Sequence, residues 1–130
     1  MAEPITDPAV AAAFDVFPEP ERKALLTLRT RILDEAASMG AGPVVEKLSW
    51  GEPAYRARHG ATLRLGLPKA GGFALYVTCT SNLLEEVRAV AGEAFRYEGR
   101  RAVLFDAPDD AEAEALSLII RAAHGYQRRG

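Results

Sequence analysis

Cysteine is nearly absent: Cys79 is the single one in 130 residues, so no intrachain disulfide can form and nothing asks for an oxidising compartment. Histidine is almost as scarce. His59, His124 and Cys79 make up the whole supply of imidazole and thiol ligands, and no two stand at a metal-binding spacing. No metal site and no cofactor is therefore expected. Excess positive charge is missing too: 16 Lys and Arg against 18 Asp and Glu leave a net charge of −2, which offers no field to hold nucleic acid. No apolar run approaches the length that spans a bilayer. Residues 1–8 carry Glu3 and Asp7 and lack both a basic and an apolar leader region, so no secretory signal is expected and the cytoplasm is the expected location. A nucleophile elbow, a phosphate-binding loop and a dinucleotide fingerprint are all absent. Residues 68–72 contain two glycines, but their spacing suits a hairpin loop.

What is present reads as an ordinary globular mixture, 48% hydrophobic and 26% charged, long enough for one domain with a real core. Asp7-Pro8 is a helix start, since Asp caps and Pro is tolerated at the first helical position. A short Ala-rich helix follows, and residues 1–17 read as an extension preceding a domain over 18–130. A longer helix is predicted from about residue 20 to 39, with Leu25, Leu28, Ile32, Ala36 and Met39 on one stripe. The period then changes. Residues 44–50, 54–58, 62–67 and 73–78 read as strands, the first placing Val44, Leu48 and Trp50 on one face, with an interruption at Gly51-Glu52-Pro53 and a tight turn at His59-Gly60. Ser81 is a candidate cap for a helix with Leu83, Val87 and Val90 inside. Residues 95–97 and 102–105 form a last strand pair. Asp109 or Asp110 is expected to cap a C-terminal helix with Glu112 and Glu114 in its first turn and Leu116, Ile119, Ile120 and Ala123 buried; Arg121, Arg128 and Arg129 lie toward its end. The fold class is α+β: a two-layer sandwich in which an antiparallel sheet of about five to six strands carries the N- and C-terminal helices on one face.

The chemistry offered is sparse. Cys79, before Thr80-Ser81, reads either as a nucleophile near a helix start or as a small buried hydrophobe. Neighbouring carboxylates on the helices diverge around the axis and form no acid/base pair. Between residues 44 and 80, Lys47, Arg56, Arg58, Arg64 and Lys69 face only Glu46 and Glu52, which reads as a solvated, mildly positive sheet face or a binding surface. His59 suits a turn, and His124 sits where a cation or cap serves a helix end. The most unusual stretch runs from Leu48 to Tyr55. It sets the sole Trp50 and Tyr55 around a Gly/Pro turn with Glu52, which is either a ligand rim or an aromatic corner.

Glu46-Lys47-Leu48-Ser49-Trp50-Gly51-Glu52-Pro53-Ala54-Tyr55 resembles the aromatic-Gly-x-Pro-x-aromatic segment of the YdhG-like domain-of-unknown-function family. Residues 65–76 are similar to that family's strand, Lys-containing loop and strand, with Lys69 at the loop lysine. Residues 97–105 are similar to its Gly-Lys motif, with Arg100 in place of Lys. The resemblance covers about residues 18–128 and implies helices packed on an antiparallel sheet. Some members are described as frataxin-like iron chaperones. That role needs clustered carboxylates, whereas Glu19, Glu21, Asp34 and Glu35 are scattered here among Arg22, Lys23, Arg29 and Arg31. Three functions are thus in view. The first is a noncatalytic binding or adaptor domain for a small anion or acidic partner, with Lys69 and Arg100 bridged by the ligand. The second is an iron-binding chaperone, and the third a small enzyme with a pocket near Trp50 and Tyr55 that uses Tyr55, Glu52 or Cys79. Tyr76, Thr78 and Thr80 on an uncovered sheet face are offered for pairing in a homodimer.

Overall fold

The computed structural model describes residues 3–77 and 82–126. The Cys79 readings, the Ser81 cap, the pairing of Thr78 and Thr80, and Arg128 and Arg129 lie outside the described residues. The elements run α1 (Pro8–Val16), α2 (Glu19–Ser38), β1 (Val45–Ser49), β2 (Glu52–Arg56), β3 (Leu63–Gly66), β4 (Phe73–Val77), α3 (Leu83–Ala91), β5 (Arg96–Glu98), β6 (Ala102–Phe105) and α4 (Leu116–His124). Short 3₁₀ turns, Gly92–Ala94 and Pro108–Glu112, precede β5 and α4. The fold is α+β. Its six strands form one antiparallel open sheet in the order β1-β2-β3-β4-β6-β5. The first four strands follow the chain; α3 then carries it past β4, and β6 pairs with β4, leaving β5 at the edge.

Side chains alternate across each strand, so register assigns every residue to a face. Tyr55, Leu63, Leu65, Phe73, Leu75, Val77, Val103 and Phe105 point to the helices and join Leu25, Leu28, Ile32, Leu83, Leu116, Ile119 and Ile120 in one buried cluster. Each fully buried Leu or Ile contributes about 1.5–3 kcal/mol. Val10 and Phe14 of α1 belong to the same cluster, so α1 packs into the core. The start of α1 follows its sequence signals: the Asp7 carboxylate accepts from the backbone N–H of Ala9 at 2.8 Å, with Pro8 at the first helical position.

Several local expectations are corrected. The β1–β2 turn is Trp50-Gly51, with φ of 56° and 77°, and Glu52 and Pro53 lie within β2. Positive φ at both central residues matches the twist of a two-residue hairpin. Trp50 is therefore thrown off the core face that β periodicity assigns it, and is 90% exposed. Val90 is 77% exposed, and Leu84 takes the inner position beside Leu83 and Val87. The acids expected in the first turn of α4 precede it: Asp109, Asp110 and Glu112 belong to the 3₁₀ turn, where the Asp110 carboxylate accepts from the N–H groups of Asp106 and Ala107. The loop after β2 is longer than a His59-Gly60 turn because α4 grips it, through the Ala61 N–H donating to the Ala123 carbonyl at 2.8 Å.

Gly72 adopts φ +72°, and a Cβ there would overlap the Phe105 carbonyl oxygen, where the chain passes the end of β6. Gly71, at φ +97°, has nothing within 4 Å of the same position. Gly72→Ala is expected to lower unfolding free energy by about 2–4 kcal/mol and Gly71→Ala by about 1. Urea denaturation of both variants checks this, and equal losses would show that the contact with Phe105 is immaterial.

Candidate functional site

The covered and uncovered faces of the sheet carry different polar chemistry. On the covered face the Arg29 side chain of α2 is buried against β1 and β2. Its Nε donates to Glu46 at 2.5 Å, a second nitrogen donates to the other carboxylate oxygen at 3.1 Å, and a third donates to the Glu3 carbonyl at 2.6 Å. The Tyr55 hydroxyl donates to Glu46 at 2.6 Å. Burial, then the bond to Glu46, hold the Tyr55 phenol far above its ordinary pKa, and the Glu46 carboxylate raises that of Arg29 further. This is a bidentate, charge-assisted pair with a locked neutral phenol, a joint between layers.

The uncovered face has a floor of small residues: Ala54, Gly66, Ala74 and Ala102 are buried although no helix lies over them. Long polar side chains of the same face cover them. Glu52 lies across Gly66, where a Cβ would collide with its carboxylate, and accepts from Arg64 at 2.7 Å. Arg64 in turn sits 5.4 Å from the Tyr76 ring centroid. Burial raises the Glu52 carboxyl, opposed by Arg64, and burial followed by the Glu52 charge raises the Tyr76 phenol. Nearby, Arg96 pairs with Asp106 and Arg101 with Glu98, each at 3.0 Å.

Two cations of this face remain. Lys47 of β1 and Arg56 of β2 have no carboxylate partner among the described residues. They stand diagonally across the β1–β2 ladder, since Lys47 faces Ala54 and Val45 faces Arg56. Such diagonal positions are about 7–8 Å apart. Both line a pocket of about 210 Å³, with Ala54 as its floor and Val45 and Thr62 as walls; no carboxylate lines it. The Arg56 Nε donates to the Gly60 carbonyl at 3.1 Å, which steadies the guanidinium.

The residues singled out from sequence do not converge. Trp50 and the Lys69 loop share one end of the sheet, whereas Arg100 lies at the other, near Asn82 and Glu85, each at 3.5 Å. The length of β4, about 13 Å, separates the two loops, so one small anion cannot bridge Lys69 and Arg100. Tyr55 is 0% exposed and faces the helices, so it joins neither Trp50 in a rim nor Glu52 in a pocket. Glu52 is committed to Arg64. Sequence reasoning passed over Lys47 and Arg56 individually, though the positive stretch containing both was visible. Among the described residues no three His, Cys, Asp or Glu side chains are placed to hold a metal. No helix among them is long and apolar enough to cross a membrane.

His124 ends α4 beside Gly125 as expected, but not as a cation. It is 1% exposed, its Nε2 lies 2.8 Å from the Ile32 carbonyl, and its Nδ1 is buried with no hydrogen-bond partner. The ring is therefore a neutral donor between α4 and α2 and not a solvated cation. Burial lowers its pKa, opposed by the Ile32 carbonyl and by Glu35. Comparison of the chain with family models, with curated proteins and with solved structures finds no match.

Two consequences are measurable. Arg29→Met leaves the Glu46 charge without its partner between the layers and is expected to cost about 3 kcal/mol, against about 1 for Tyr55→Phe; denaturant titration of both tests the ordering. For His124, the folded value lies below the ordinary one of about 6.5, so the unfolded chain binds the proton more readily. Its contribution is complete above about pH 6.5 and is lost as pH falls from there toward the lowered folded value. Urea midpoints at pH 7.5 and 5.5 should show that fall, and it should shrink in His124→Leu.

Proposed function

We propose that this chain is a noncatalytic binding domain that takes a small anionic ligand on the uncovered face of its sheet, between Lys47 and Arg56. The observation that carries the reading is electrostatic. On that face and its rim Arg64, Arg96 and Arg101 are paired with Glu52, Asp106 and Glu98. Lys47 and Arg56 stand without carboxylates at one pocket that already holds a hydroxyl, Thr62. Glu52 is the other diagonal neighbour of Lys47, but its carboxylate is turned toward Gly66 and Arg64. An anion between the two side chains gains charge-assisted hydrogen bonds from both.

The order of three motifs, ending at Tyr55, Tyr76 and Phe105, supports placing the chain beside the YdhG-like family. The iron-handling role described for some of its members gains no support from α2, whose Arg22 and Arg31 are spent on backbone carbonyls of Phe14, Phe17, Ala111 and Ala113. An acidic side chain of a partner protein would use the same two cations as a free anion.

Titration of ¹⁵N-labelled protein with sodium acetate and with sodium phosphate, at matched ionic strength, tests the site. The amides of Val45, Lys47, Ala54, Arg56 and Thr62 should shift with a Kd on the order of 1 mM, the range open to a ligand of few atoms on a partly solvated site. Lys47→Gln should weaken the response about tenfold. Both cations are exposed, so folding should be unaffected. Absence of any saturable shift, or an unchanged titration in Lys47→Gln, would remove the proposal.

A further inference from the structure

We infer that the ligand of this pocket is a monocarboxylate carried on a compact aliphatic body, an inference that rests on the anion-binding reading above. Size is the first constraint. A pocket of about 210 Å³ holds about seven waters' worth of volume, less than a drug-sized site. The part of the ligand held in the pocket is therefore a small acidic group.

Donor geometry is the second constraint. The Arg56 Nε is already committed to the Gly60 carbonyl. What remains toward an incoming anion is the end-on pair of terminal nitrogens, which matches the two oxygens of a carboxylate. Lys47 of β1 adds one point charge and Thr62, just before β3, one hydroxyl.

The third constraint is that each cation has an apolar neighbour across the ladder, Val45 facing Arg56 and Ala54 facing Lys47. Val45 is 59% exposed on an edge strand, an isopropyl group that no element covers. Phosphate presents oxygens in every direction and would set some of them against Val45 and Ala54, where they lose water and gain no donor. A branched aliphatic body would instead cover Val45 while its carboxylate meets Arg56 and Lys47. Two sources share this chemistry: a free short-chain acid, and the terminal carboxylate of a polypeptide ending in a small aliphatic residue.

The same titration, run with acetate, isobutyrate, N-acetylvaline and inorganic phosphate, separates the possibilities. Isobutyrate should bind about three- to tenfold tighter than acetate, the gain from two added carbons partly removed from water, and tighter than phosphate. Val45→Thr, isosteric and exposed, should reduce the ratio of isobutyrate to acetate affinity to about twofold or less. N-acetylvaline binding tighter than isobutyrate supports the inference with a polypeptide end as the source; equal or weaker binding supports it with a free acid. Phosphate binding tighter than isobutyrate, equal affinity for acetate and isobutyrate, or a preference unaltered by Val45→Thr would overturn the inference and leave anion binding standing. If none of the four shifts the Lys47 and Arg56 amides, the anion-binding reading fails first.

Discussion

A guanidinium and a carboxylate meet between the helical layer and the sheet, and the arrangement of both layers follows from the need to keep those charges paired. Arg29 reaches down from α2, Glu46 reaches up from β1, and the Tyr55 hydroxyl from β2 closes the set. Side chains alternate along a strand, so a one-residue slip of β1 would carry Glu46 to the open face and drive Lys47 into the interior. Unpaired, either buried charge would be strongly destabilising. The joint thus acts on register as well as on attachment, and it puts Lys47 on the face where the candidate site lies.

The open face shows how a sheet without a second helical layer limits its exposure to water. Its central positions are Ala54, Gly66, Ala74 and Ala102, small enough for Glu52, Arg64 and Tyr76 to lie over them. The burial of these alanines comes from neighbouring stems and rings, with the charged ends kept in or near water. Pairing consumes most of the cations of the face. Lys47 and Arg56, toward the β1 edge, fall outside that pairing, which is why the anion reading rests there.

Helix α2 acts as the hub through its arginines. Arg22 donates to carbonyls around the end of α1, Arg29 to the Glu3 carbonyl, and Arg31 to the carbonyls of Ala111 and Ala113 in the approach to α4. Each satisfies backbone acceptors that irregular chain would otherwise leave to solvent. Charges that read in sequence as the polar side of an amphipathic helix are thereby ties between elements. Glu35 behaves similarly: its carboxyl is held low by a hydrogen bond from Ser117 and then by Arg121, joining α2 to α4.

Periodicity and turn chemistry were enough to locate the long helix, the apolar stripe Leu116, Ile119, Ile120 and Ala123, the Asp7-Pro8 start and the strands, because those signals are local and their causes lie within a few residues. They were not enough at Trp50. There, alternation predicts burial while the hairpin twist demands a turn, and the turn prevails. They left the burial of Tyr55 open and missed that of His124, whose surroundings come from residues 9 and 92 positions away. The choice of β6 as the neighbour of β4, the opposite placement of Lys69 and Arg100, and the lack of an ion-pair partner for Lys47 and Arg56 among the described residues were decided by tertiary structure alone. Sequence spacing constrains which face a side chain takes within its own element. Which charges then meet across elements depends on strand order and register, set by the burial of the whole core and the ion pair of Arg29 with Glu46.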